Sequence, residues 1–336
     1  MADIDIIIPA YNSELTLKRT VESIQLAGLS DISIIIINDG SCDQTENVCK
    51  VLCDKYSNIL YTSQKNAGVS RTRNCGLKQA TGEYIWFFDA DDSVFPGSLK
   101  IVQERLDIYK PDMLIFGMYF DYYHNEKIYR TEKFTYPEEG LYTGEEVDNN
   151  LMSIYQHNAL TSSCNKIIRR EMVAKNKIFY KEDLFLMEDF LFSLDCLQHC
   201  KSVYMLPKAI YHYHQAEDEG NVYRRIGKIE SLSEYVTPFR KRLLNHPDVF
   251  SSMYFMMLRQ KLWKADRKEI RQIAEDYLRN DYEIYRMEDA KLDSELRGGK
   301  YTKIRYRNLI LQVRHIIANT IKKSFLYQKL RGIWHV

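Results

Sequence analysis

The sequence predicts an α/β protein whose first two thirds build a parallel sheet and whose last third is mainly helical. Three observations lead there. Short β-branched runs (Ile4–Ile8, Ile32–Ile37, Ile59–Thr62, Tyr84–Phe88) alternate with helix-length patterns, the arrangement of βαβ units. The chemically loaded residues Tyr11, Asn12, Asp39 and Asp89 to Asp92 follow the carboxyl ends of those runs, where open parallel sheets bind ligands. Beyond about residue 221 the apolar spacing is helical and Lys and Arg are frequent. A division follows: 1–220 as the α/β, ligand-binding domain and 221–336 as a helical carboxy-terminal region.

The first run is continuous and apolar up to Pro9, which suits a strand buried on both faces. Leu17, Val21 and Ile24 share one face of a helix ending near Gly28, and Ile32–Ile37 is the second buried strand. Asp43-Gln44-Thr45-Glu46 resembles a capping box that opens a helix carrying Val48, Val51 and Leu52. Ile59–Thr62 is a third strand, 66–80 a helix stopped by Gly82, and Tyr84–Phe88 a fourth strand. A helix from about Gly97 to Tyr109 leads to a strand over Met113–Gly117. From Tyr119 to Thr161 the pattern loosens and fills with Tyr, Asn and Glu, as a substrate loop would. Asp183–Cys200 is expected to be helical and Val203–His214 extended.

Whole-chain properties exclude several classes. The 336 residues hold 47 basic and 46 acidic side chains, so charge gives no case for a nucleic-acid partner. The seven cysteines form no CxxC pair, which points to a reduced, cytoplasmic protein with free thiols. The amino terminus has no basic, apolar signal-peptide pattern, and no run of eighteen apolar residues suggests a membrane span. GxGxxG is absent, which argues against a dinucleotide-binding dehydrogenase.

The segments IIIPAYN, INDGSCDQT, NAGVSRTRNCGL, DADD and MED stand in one order over roughly residues 1–215. Together they resemble the family-2 glycosyltransferases with a GT-A (Rossmann-like) nucleotide-sugar-binding fold, of the kind that assemble bacterial capsule, exopolysaccharide and teichoic acid. The resemblance implies an inverting transferase that moves a hexose or N-acetylhexosamine from a UDP-sugar to a glycan or a polyprenyl-diphosphate-linked acceptor, with Mn²⁺ or Mg²⁺. It puts Pro9, Ala10, Tyr11 and Asn12 at the uracil pocket and Asp39 at the base or ribose. Asn66, Gly68 and Arg71 lie beneath the nucleotide, and Asp89, Ala90 and Asp91 form the DxD element, Asp91 being the first choice as metal ligand. Asp189, preceded by Glu188, is implied as the catalytic base, and His214 or His212 as a further metal or diphosphate contact. Asn165-Lys166 stands where similar proteins have residues near the site; a surface lysine is the plain alternative.

The residue types suit that chemistry. Clustered carboxylates at a strand end repel one another unless a cation joins them, and a hard divalent cation neutralises a leaving diphosphate. A polar turn is the bland alternative for Asp89 to Asp92. Inversion requires a base on the acceptor side; Asp189 also suits a helix amino terminus, where a carboxylate is stabilised without any catalytic role. On a strand, period two puts His212 and His214 on one face. Arg71 is taken as the phosphate contact and Arg73 is left out.

No Asp or Glu occurs from Lys300 to Val336, where nine Lys and Arg mix with aliphatic residues and with Tyr327 and Trp334. This basic amphipathic tail suits the anionic inner face of the plasma membrane, or equally packing within the protein or in a homo-oligomer. Competing readings are a nucleotidyltransferase, disfavoured because PAYNSE lacks the glycine-rich loop, and a catalytically inactive nucleotide-sugar-binding scaffold.

Overall fold

The computed structural model describes residues 3–280 apart from 30, 125–126, 137, 216–224 and 264, and the side chains of 278–280 fall outside it as well. The chain divides into two compact units, one of residues 1–123 and 130–215, the other of 124–129 and 216–336.

Strands β1 (Ile4–Ala10), β2 (Ile32–Asn38), β3 (Ile59–Ser63) and β4 (Tyr84–Phe87) lie parallel in the order β3-β2-β1-β4. The sheet continues past β4. With β5 (Ser93–Val94), β6 (Met113–His124), β7 (Lys127–Phe134), β8 (Gly140–Thr143), β9 (Lys166–Arg169) and β10 (Ser202–Gln215), it reaches ten strands. Strand β9 is antiparallel to both β4 and β6, β10 runs parallel to β6, and β5 and β8 are antiparallel to β10. The helices α1 (Leu17–Gln25), α2 (Thr45–Lys55), α3 (Val69–Gln79) and α4 (Lys100–Tyr109) come from the first half of the chain. Helices α5 (Gly144–Asn149), α6 (Leu151–Gln156), α7 (Arg170–Lys175) and α8 (Glu188–Leu197) follow.

Every residue of β1 except Pro9 is buried, as its unbroken apolar run requires. Its one carboxylate, Asp5, sits inside because Oδ2 accepts from the amides of Thr81 and Gly82 at 2.5 and 2.7 Å. Helix α3 lies close against β1 at Gly76, where a Cβ would come within 2.3 Å of Ile7 Cγ2. Trp86 of β4 is packed edge-on by Phe88, Phe116 and Tyr211. That cluster joins the two halves of the sheet.

Several boundaries differ from the sequence expectation, each for a local reason. Helix α3 starts at Val69 rather than 66 because Gly68 has φ 89°, a left-handed conformation that suits glycine and no helix. Helix α8 starts at Glu188, not Asp183, because Met187 is itself left-handed at φ 62°. Asp43 does not box α2: its Oδ1 takes the Thr45 amide and hydroxyl at 3.0 and 2.6 Å. Strand β6 runs on to His124, well past Gly117, since β10 pairs alongside it as far as Tyr122. The stretch read as a loose loop therefore contains the end of β6, the whole of β7 and β8, and two short helices, the first opened by a Thr143/Glu146 capping box.

Among the described residues of the second unit, helices run over Leu232–Tyr235, Thr237–Arg242, Pro247–Trp263 and Arg267–Asn280. Val249, Met253, Met257 and Leu258 are buried, and Tyr277 meets the rings of Tyr254 and Phe255 at 6.3 and 6.2 Å. Among the described residues no helix is long and apolar enough to cross a membrane. The basic tail lies outside the described residues.

Candidate active site

The loops after β1 and β2 are bonded to each other. The Asn12 amide donates to Ser41 Oγ and the Cys42 amide to Asn12 Oδ1, both at 2.9 Å. Ala10 is buried at the strand end while Tyr11, 52% exposed, leaves its ring free to stack on a flat ligand. Asp39 is buried, and its carboxylate accepts from Gln64 Nε2 at 2.8 Å and from the Ala67 and Gly68 amides at 2.9 Å each. The residue expected at the base or ribose is thus also the anchor of the 64–68 loop. Asn66 on that loop is exposed.

At the end of β4, Asp89 to Asp92 meet β10. Asp92 is fully buried: Tyr211 donates its hydroxyl to Oδ2 at 2.6 Å and the His214 amide reaches Oδ1 at 2.8 Å. Burial, with Asp89 and Asp91 nearby, pushes the Asp92 carboxyl well above its ordinary range. Asp91 faces solvent as a residue. Its carboxyl is crowded by protein, and that desolvation together with Asp89 pushes it up to about 6. Thr20 Oγ1 shares its one proton between the carbonyls of Ala90 and Asp92, at 3.0 and 2.8 Å, and Arg19 donates to that of Asp91 at 2.6 Å. The turn is therefore held through its backbone carbonyls as well as through the Asp92 carboxylate.

Arg73 links this turn to the expected base. Its side chain is 5% exposed and bonds Asp189 Oδ1 through Nη1 at 2.6 Å and Asp89 Oδ1 through Nη2 at 3.1 Å. Burial opposes its charge, but Asp189 and then Asp89 hold the guanidinium well above its ordinary value. Arg71, preferred from sequence, points outward and pairs with Glu182 at 2.9 Å with both side chains largely exposed. Of the two arginines, it is Arg73 that turns inward. Arg73 follows Ser70 and precedes Leu77 on the inward face of α3, and a basic residue on a buried helix face signals a buried partner.

Glu188 and Asp189 form the first turn of α8; Glu188 is buried, whereas Asp189 is partly open. Lys166 is buried, which rules out the surface lysine that was the plain alternative for it. It is 1% exposed, with Nζ on the Ser162 carbonyl and on Asn165 Oδ1; burial pushes it down to about 8.

His212 and His214 share a face of β10 as period two requires, their rings 6.4 Å apart. His212 Nδ1 sits 2.6 Å from Asp121 Oδ2 and its ring stacks on Tyr119, while His214 Nε2 lies 2.8 Å from Ser93 Oγ. Burial, then Arg19, pushes His214 down to about 4, so its ring is neutral. Among the described residues, the group whose ligand atoms converge within 4.8 Å is Asp89, Asp92 and Cys164. Neither histidine nor Asp91 belongs to it, because the histidines are turned to Asp121 and Ser93. Burial keeps the Cys164 thiol far above its ordinary range, which leaves the carboxylates as the metal-competent part of this group. Their hard oxygens fit a hard divalent cation.

The family model described as Glycosyl transferase family 2 matches residues 5–176. The minor teichoic acid biosynthesis protein GgaB of Bacillus subtilis (strain 168) is 30% identical over 299 residues, covering 83% of this chain and 31% of that protein. The cholesterol galactosyltransferase of Borreliella burgdorferi is 31% identical over 199 residues, 56% of this chain and 55% of that one. The chain thus spans about a third to a half of the length of these two relatives. The crystal structure of S. aureus TarS 1-349 in complex with UDP matches with a TM-score of 0.64 at 20% identity, covering 90% of this chain and 89% of that one. The GT-A fold expected from sequence is the fold observed.

Proposed function

The chain belongs to glycosyl transferase family 2, and from that premise we propose that it moves a hexose or N-acetylhexosamine from a UDP-sugar to a saccharide or lipid-linked acceptor, inverting the anomeric centre. The observation that supports this best is the Asp89–Arg73–Asp189 bridge: one carboxylate suited to a cation and another suited to proton removal, held together by one buried guanidinium. The named relatives act in teichoic acid synthesis and on cholesterol, which favours a surface polysaccharide or a lipid-borne acceptor.

In this reading Tyr11 stacks on uracil, and the loop anchored by Asp39 lies beneath the nucleotide. Asp89, with Asp91 two residues on in the same turn, would hold Mn²⁺ or Mg²⁺, which would supply the charge that neutralises the departing diphosphate. Asp189 takes the proton of the acceptor hydroxyl as its oxygen attacks the anomeric carbon; the bond to the diphosphate breaks on the opposite face and UDP leaves. Residues 1–220 form the catalytic part of a cytoplasmic enzyme, and the basic tail of the remaining region docks on membrane, or packs within the protein or on a second copy.

Calorimetry of UDP with Mn²⁺ and then EDTA, on wild type and Asp91→Ala, tests the donor site. Metal-dependent binding that is lost in the variant is expected; metal-independent binding retained by the variant refutes the cation site. Asp189→Asn is expected to abolish transfer while UDP still binds, which also separates an enzyme from an inactive scaffold.

A further inference from the structure

Asp189 is held asymmetrically. Both of its side-chain hydrogen bonds fall on Oδ1, from Arg73 Nη1 at 2.6 Å and from Ser163 Oγ at 2.7 Å, and among the described residues no donor reaches Oδ2. An ionised carboxylate can only accept, and a serine hydroxyl has one proton to give. With that proton spent on Asp189, the 2.5 Å contact between Ser163 Oγ and Tyr180 Oη is a bond donated by Tyr180. Burial keeps the Tyr180 phenol well above its ordinary range, and so protonated.

We infer that Ser163 and Tyr180 are positioning residues for Asp189, fixing Oδ1 together with Arg73 so that Oδ2 is the oxygen that takes the acceptor's proton. The inference rests on the transferase reading above.

The parts behind Oδ1 are immobilised from several elements. Tyr180 is 2% exposed, lies flat on Phe192 of α8 at 4.1 Å and 3°, and takes Phe87 of β4 edge-on at 5.2 Å. Arg73 lies over its ring at 5.2 Å, and Asn74 binds its backbone N–H and C=O at 2.8 and 2.9 Å. Ser163 is pinned on both sides along the chain. Lys166 Nζ holds the Ser162 carbonyl, Trp86 Nε1 donates to the Cys164 carbonyl at 2.7 Å, and the Phe116 amide to that of Asn165 at 3.0 Å. A free carboxylate rotates in a broad, two-fold torsional well, whereas a base must hold one oxygen at hydrogen-bond distance from the proton it removes. Two donors on one oxygen supply that orientation before any acceptor arrives. Lys166, the buried lysine that looked like a substrate contact in sequence, acts here as the rear support of the Ser163 turn.

The test is UDP release from an equimolar mixture of UDP-glucose, UDP-galactose and their N-acetylamino counterparts, with UDP affinity measured separately by calorimetry. Because a 1 Å misplacement costs on the order of 10²-fold in rate, Ser163→Ala is expected to lower kcat by about 10- to 100-fold while UDP affinity stays within about 2-fold. Tyr180→Phe is expected to lower kcat in the same direction by less, and Ser163→Thr, which keeps the hydroxyl, to recover most of the rate. Wild-type kcat in Ser163→Ala and Tyr180→Phe overturns the inference, as does a loss confined to UDP affinity that threonine does not rescue. Wild-type rates in Asp189→Asn, or no release by the wild-type enzyme from any of the four sugars, overturn the transferase reading itself and the inference with it.

Discussion

Replacing Arg73 by methionine keeps the buried stem and removes the charge that joins Asp89 to Asp189. The guanidinium is 5% exposed, and its partners, at 3.1 and 2.6 Å, keep 26% and 23% of their surface in water. Breaking a fully buried pair costs about 3–5 kcal/mol, whereas an exposed pair contributes about 0–1 kcal/mol. Two bonds with a buried donor and partly wet acceptors lie between these limits. One compensation counts the other way: Arg73 Nε is buried with no hydrogen-bond partner, and deleting an unsatisfied donor recovers about 1 kcal/mol. The expected loss is therefore about 2–3 kcal/mol. Urea unfolding followed by tryptophan fluorescence, with Trp86 at the centre of this unit, measures it in wild type, Arg73→Met, Asp189→Asn and the double variant. The two single losses should exceed the double loss by about 1–2 kcal/mol, the coupling of residues in direct contact. Strict additivity, or an Arg73→Met loss under about 0.5 kcal/mol, refutes the bridge as an organising contact.

The Asp91 carboxyl is pushed from its usual 3.8 up to about 6, so between those values the folded state binds more protons than the unfolded state. Stability therefore declines as pH rises from about 4 to about 6 and stays at the lower level above. Asp91→Asn should match wild type below pH 4 and be more stable above pH 6 in metal-free buffer; an equal difference at both ends contradicts the crowding of this carboxylate. Gly76→Ala would bring a Cβ to 2.3 Å from Ile7 Cγ2, forcing α3 off β1. A loss of about 1–3 kcal/mol is expected in the same unfolding assay, and a neutral result would mean that the helix shifts without cost.

Much of the fold was legible because the signals are local. The isoleucine runs at 4–8 and 32–37 can only be strands buried on both faces, and the parallel order β3-β2-β1-β4 follows from the helices between them. Asp39 and Asp89 to Asp92 could be placed at one edge of the sheet because strand ends in a parallel sheet converge. The boundaries that failed were decided by single backbone angles, Gly68 and Met187 at positive φ, which spacing alone does not report. The 119–161 stretch was misread as a loop since its polar, tyrosine-rich strands gain their order from pairing with β10, more than sixty residues away in the chain.

For the site, the sequence by itself determined which residue types are present and that they meet at the carboxyl ends of the strands, since register and alternation are properties of the chain's own pattern. What only the tertiary structure decided is who faces whom. Arg73 rather than Arg71 turns inward, Lys166 supports a turn from within, the histidines bond Asp121 and Ser93, and Ser163 with Tyr180 holds Asp189. Apart from Lys166 with Ser162, those pairings join residues 17 to 121 positions apart, and they are fixed by which buried polar group must find a partner once the core has closed.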